Sequence, residues 1–128
     1  MLNYKFMVHS VLISLASNYE QKSNLCEARK ALAQILVSTD YTEEIWTEAV
    51  GKGRGYYLNQ LVKACTELNS LQLSSRLKEM ELTLGRTDDD RQIGRVRIDL
   101  DLLEHDGVRF HLRDWERPYI QQLLKLYP

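Results

Sequence analysis

Hydrophobic and polar positions repeat along this chain with two different periods, and the changes of period mark its elements. Met7 to Ser14 mixes aliphatic and β-branched residues with small polar ones and ends at the turn-like Ala16-Ser17-Asn18, which predicts a strand. From Asn24 the residues Leu25, Ala28, Leu32, Ile35 and Leu36 fall on one helical stripe, and Asn24 with Glu27 resembles an N-terminal capping pair. Val37 to Val50 has the Tyr, Thr, Ile, Trp and Val content of a strand. Gly51-Lys52-Gly53-Arg54-Gly55 is a flexible connection, and Tyr56 to Leu68 predicts a third strand. Leu73, Leu77, Met80 and Leu84 form a second helical stripe, closed by Gly85 where a C-terminal cap belongs. Thr87 to Gln92, TDDDRQ, is expected as a charged loop. Arg95 to Leu103, RVRIDLDLL, carries the cleanest two-residue alternation in the chain and predicts the fourth strand. His105-Asp106-Gly107 turns the chain, and Pro118 opens a last helix through Leu126. The order β-α-β-β-α-β predicts an α+β, ferredoxin-like α-β-α sandwich with a mainly antiparallel sheet.

Size and charge narrow the partners. The chain's 128 residues fit one domain, 1–128, with one ordinary core. Lys and Arg total 17 against 18 Asp and Glu, so net charge argues against nucleic acid or a membrane surface as partner. Cys26 and Cys65 form no CxxC pair and are expected to be reduced, in a cytoplasmic protein. No apolar run approaches the ~18 residues of a membrane span, and the N-terminal stretch suits a first strand better than a signal peptide. A monomer is expected, with a weak dimer left open.

The alternating stretch is where chemistry is concentrated. As a strand it sends Val96, Ile98, Leu100 and Leu102 to one face and Arg95, Arg97, Asp99 and Asp101 to the other. A solvated amphipathic strand accounts for this pattern. So does a metal site: Asp99 and Asp101 stand about 7 Å apart by the strand rise, and two such oxygen donors can hold Mg²⁺ while phosphate completes its shell. Periodicity leaves both open. GKGRG lacks the GxxxxGK[ST] spacing of a phosphate loop and is expected as a mobile loop. His9 and His105 match no chemistry and stay unassigned.

RVRIDLDLL resembles the signature strand of 6-hydroxymethyl-7,8-dihydropterin pyrophosphokinases, in which an arginine precedes Asp-Leu-Asp and aliphatic residues follow. Further motifs are similar and keep the family's order: SLASN (Ser14 to Asn18), YLNQLV (Tyr57 to Val62), EMELTLGR (Glu79 to Arg86) and HLRDWERPY (His111 to Tyr119). The resemblance implies the same ferredoxin-like fold and Mg²⁺-dependent transfer of pyrophosphate from ATP to the dihydropterin, releasing AMP, in folate biosynthesis. It implies that Asp99 and Asp101 hold magnesium, with two ions expected, and that Arg86 and Arg97 act with them in catalysis. Glu81, Arg86, His111 and Arg117 match ATP-contacting positions, and Arg95 is expected to contact ATP although it stands one place from the family arginine. Tyr57 and Tyr119 match the aromatic pair about the pterin, Thr47 and Asn59 its hydrogen-bonding edge, and Val50 an apolar contact.

The chain also departs from the family pattern. Val96 stands where the family arginine belongs, leaving Arg95 or Arg97 to replace it; Arg97 is preferred, and alternation puts both on the aspartate face. Asp88, Asp89 and Asp90 occupy a loop that carries arginines and a tryptophan in the family, and Glu48-Ala49 replaces a proline pair. The chain is expected to be a divergent, C-terminally short member. A non-catalytic pterin- or nucleotide-binding homologue and a ferredoxin-like interaction domain are the alternatives.

Overall fold

A computed structural model describes residues 8–49, 55–85 and 87–128. The elements are β1 (His9–Ser17), α1 (Gln21–Leu32), β2 (Val37–Tyr41), β3 (Ile45–Glu48), β4 (Tyr56–Thr66), α2 (Ser70–Thr83), α3 (Asp88–Gln92), β5 (Asp99–His105), β6 (Val108–Arg109), α4 (Leu112–Trp115) and α5 (Pro118–Leu124). Among the described residues six strands form one sheet in the order β2-β4-β1-β5-β6, with β3 also beside β4. Each pairing is antiparallel. Stripped of its short elements, this is the expected ferredoxin-like order.

Alternation along the strands sends apolar residues to both faces, so each face needs a cover. On one, Ile13, Leu15, Leu58, Val62, Leu100 and Leu102 pack with Leu25, Ala28 and Leu32 of α1 and Leu73 and Leu77 of α2. On the other, Leu12, Leu61 and Leu103 meet Trp115 of α4 and Ile120 and Leu123 of α5. The second cover is smaller and leaves part of its face to the site described below.

Several expectations need correction. The expected strand Val37 to Val50 is, over its described part, two strands, because at Thr42 side chains take over part of the ladder: Thr42 N–H still donates to Leu61 O at 2.9 Å, but Leu61 N–H donates to Thr42 Oγ1 at 3.0 Å and Gln60 Nε2 to Thr42 O at 2.8 Å. Helix α1 begins earlier than expected, after Glu20 in the left-handed region (φ 42°) and without a side-chain cap. Asn24 instead donates to Tyr19 O at 2.6 Å, and Glu27 pairs with Lys30. TDDDRQ is a short helix, since Thr87 and Asp90 form a reciprocal capping box. The fourth long strand starts at Asp99 rather than Arg95, because residues before it are held by Asn18: Val96 N–H donates to Asn18 Oδ1 at 2.6 Å and Asn18 Nδ2 to Gly94 O at 2.8 Å. The Asp106-Gly107 turn has positive φ at both residues, 48° and 84°, as a two-residue hairpin needs. Val50, the 51–54 stretch and Arg86 lie outside the described residues.

Candidate active site

The register draws one row of side chains across the sheet. Asp99 pairs with Ala16, Ala16 with Asn59, and Asn59 with Ile45. Opposed residues share a face, so Ala16 lies as a low floor between the polar heads of Asn59 and Asp99. Above that floor a cavity of about 320 Å³ is lined by Thr47, Tyr57, Asn59, Asp99, Arg117 and Tyr119, with Glu48 at its edge. Thr47 and Tyr57 are cross-strand partners on β3 and β4, and Arg117 and Tyr119 flank Pro118, whose fixed φ starts α5. With Ala16 of β1, five segments thus close on one cavity.

Polar groups in the cavity are oriented. Asn59, 2% exposed, donates through Nδ2 to Thr47 Oγ1 at 2.9 Å and to Ile45 O at 3.2 Å. The Ile45 carbonyl fixes the amide, since an amide oxygen in that place would face another acceptor. Burial pushes the Tyr57 hydroxyl up, and the charge of Asp99 adds to it; burial, then Asp114, holds Tyr119 at about 12. Both tyrosines are therefore neutral donors with aromatic faces. Arg117 donates Nε to Asp114 at 2.9 Å, and that bond raises its pKa further.

One step along β5, Asp101 shares the face of Asp99. Burial, followed by the charge of Asp101, lifts the Asp99 carboxyl to about 6. Around the pair stand Lys78 of α2, its Nζ 3.8 Å from Asp101 Oδ1, and His111, its Nε2 also 3.8 Å from that oxygen. Glu81 lies beneath them at 2% exposure. It accepts the Leu100 N–H at 2.8 Å, on a stretch of β5 that β6, paired only at Glu104 and His105, does not reach, and meets Lys78 at 3.3 Å. Burial dominates the upward shift of its pKa. The donor set suits a hard divalent ion: two carboxylates on one face, one of them already disfavouring its own charge. Asp99 and Asp101 are the residues to hold it.

The arginines are placed otherwise than expected. Residues 95–98 are not strand, so alternation does not bring Arg95 and Arg97 beside the aspartates. Arg97 Nε donates to Asp90 Oδ2 at 2.8 Å and Arg95 lies 3.5 Å from Asp90 Oδ1, while both guanidinium groups lie over the Tyr19 ring. Asp90 is 1% exposed, and the Arg97 bond holds its carboxyl below the usual range. It is a buried counter-ion, where the sequence suggested a loose carboxylate.

Of the expected residues, the structure brings Thr47, Tyr57, Asn59, Asp99, Arg117 and Tyr119 together, with Asp101, Glu81 and His111 adjoining. It turns Arg95 and Arg97 toward Asp90. Lys78 was not anticipated; its signal was the three-residue spacing to Glu81, one helical turn on the same face.

The profile of the 7,8-dihydro-6-hydroxymethylpterin-pyrophosphokinase family matches residues 12–126. The chain belongs to this family. A relative, the folate synthesis bifunctional protein, mitochondrial, of Pisum sativum, is 31% identical over 121 residues, covering 86% of this chain and 23% of its own length. The chain thus spans about a quarter of that relative. The family's use of a pterin, ATP and Mg²⁺ accords with the polar, aromatic-lined cavity beside two carboxylates. Among the described residues no helix is long and apolar enough to cross a membrane.

Proposed function

We propose that this protein transfers pyrophosphate from ATP to 6-hydroxymethyl-7,8-dihydropterin, releasing AMP, in folate biosynthesis. The observation that carries this reading is the convergence of Tyr57, Asn59 and Tyr119 on one cavity that Asp99 also lines. Tyr57 and Tyr119 hold the flat ring between them, and Asn59 and Thr47 bond its edge. Val50 adds an apolar contact. Bound Mg²⁺, with two ions proposed, supplies charge neutralisation on the nucleotide phosphates. Asp99 and Asp101 hold it, and Glu81 keeps Asp99 in place by fixing β5. His111, Arg117 and Arg86 contact ATP. Phosphoryl transfer of this kind depends on positioning and electrostatics, and in this reading a pterin held in the cavity lies next to the carboxylates proposed to hold the metal. Arg95 and Arg97 reach phosphate when they leave Asp90, with Arg97 the catalytic one. The protein acts as a cytoplasmic monomer, a location in keeping with two free cysteines.

Purified protein is expected to form AMP from ATP and Mg²⁺ when the dihydropterin is present. No AMP, together with no binding of either ligand, sinks the proposal. A second reading, binding of the pterin or nucleotide without turnover, is favoured by the commitment of both arginines to Asp90. Calorimetric binding without AMP formation selects it.

A further inference from the structure

At the end of the sheet remote from Asp99, two histidines outside the proposed chemistry meet a carboxylate. His9 begins β1, His105 ends β5, and Asp106 opens the following turn. Val11 pairs with His105 across β1 and β5, so His9, two residues from Val11, shares that face. One donor atom from each of the three residues lies within 4.8 Å of the others.

Each member is oriented. Asp106 Oδ1 accepts the Ser10 N–H at 2.9 Å, and its own N–H donates to Ser10 O at 2.8 Å. This directs Oδ2 to His9 Nδ1 at 2.6 Å, with His105 Nδ1 4.0 Å away. His105, 8% exposed, bonds the Leu68 carbonyl through Nε2 at 3.0 Å. A carbonyl only accepts, so Nε2 carries the proton and the neutral ring presents a lone pair at Nδ1. That lone pair and the carboxylate both seek a cation. A bond from the far ring nitrogen to a backbone carbonyl is also what sets the tautomer of metal-ligating histidines.

We propose that His9 Nδ1, His105 Nδ1 and an Asp106 carboxylate oxygen form a Zn²⁺ site. Two imidazoles and one carboxylate suit a borderline ion, whereas Mg²⁺ and Ca²⁺ prefer oxygen alone. Ligand atoms about 2.0–2.1 Å from a tetrahedral ion lie about 3.3 Å apart. His9 and Asp106 therefore separate slightly and His105 closes in. For Zn²⁺ to take His9 Nδ1, the ring proton that faces Asp106 moves through solvent to Nε2, so His9 stays a neutral imidazole, and water takes the fourth position. The ion clips the start of β1 to the β5–β6 turn. It lies seven residues along β1 from Ala16, roughly 23 Å at the strand rise, and does not depend on the pterin site.

The test uses the full chain freed of metal by a chelator and titrated with Zn²⁺ alone. One equivalent is expected to bind and to raise Tm, and Co²⁺ in its place is expected to show the visible absorption of a tetrahedral site. Asp106→Asn keeps a residue that tolerates the left-handed turn and still accepts from Ser10, but it removes the charge. It and His9→Gln are each expected to weaken Zn²⁺ binding at least tenfold, while Asp99→Asn leaves it unchanged. His105 is buried, so the two milder variants decide. Absence of Zn²⁺ binding overturns the proposal, as does binding that survives Asp106→Asn and His9→Gln or is lost in Asp99→Asn. The readout involves no turnover, so failure of AMP formation leaves the Zn²⁺ proposal standing.

Discussion

Two carboxylates at successive same-face positions of a strand repel each other, and Asp99, the more enclosed, shows the effect as a pKa near 6 caused first by burial and then by Asp101. A carboxyl raised on folding stabilises the fold fully below its unfolded value, about 3.9, and loses that contribution as pH rises through the folded value. The ligand-free protein is therefore expected to lose stability between about pH 4 and just above pH 6, and thermal melts across that range check it. Mg²⁺ competes with the same proton, so its calorimetric affinity should rise with pH and level off above Asp99's pKa; a flat profile argues against Asp99 as a ligand. The Asp-x-Asp pair was legible because strand alternation alone sets which residues share a face, and Tyr57 and Asn59 were legible through the family motif YLNQLV that carries them. Arg95 and Arg97 were not, because their side chains answer to Asp90 and Tyr19, partners that local periodicity does not reveal.

Elements here end where a side chain or a glycine makes them end. Helix α2 stops at Gly85, whose φ of +110° an L side chain rarely adopts, and a Cβ there would sit 3.3 Å from Arg97 Cδ. Gly85→Ala should therefore cost at least about 1 kcal/mol, read as a lowered urea midpoint with unchanged slope. A shift within error would mean that the backbone relaxes and Arg97 moves aside. Gly85 as a stop was readable from its place after the apolar stripe. Thr87 and Asp90 carried an equally local capping signal that the run of aspartates obscured. The break at Thr42 had no such signal, since it depends on Leu61 and Gln60 of another strand.

For the whole molecule, the two covers of the sheet have different duties. Leu25 lies in the cluster under α1 and α2, and Leu103 in the smaller one under α4 and α5. Both are fully buried, so replacing either by alanine should cost about 2–5 kcal/mol in chemical denaturation. Only Leu103 supports the helix that carries Tyr119, with Trp115 Nε1 donating to its carbonyl at 3.2 Å. Leu103→Ala is expected to weaken dihydropterin binding at temperatures where both variants are folded, and Leu25→Ala to leave it intact. Equal losses of affinity would show that the cavity is not carried by the smaller cover.

The sequence by itself determined the repeat of each main element, the faces those elements bury and the family motifs that ride on them. These follow from backbone period and short spacing, which neighbours along the chain suffice to set. The tertiary structure alone decided which charges meet. It gave Arg95 and Arg97 to Asp90, set Lys78 beside Asp101, bound Glu81 to the Leu100 N–H of β5 and brought His9 to His105 and Asp106. The pairings across strands depend on strand order and on the closeness of segments far apart in sequence, those of Asp90 on the turn that follows α3, and no local period encodes either.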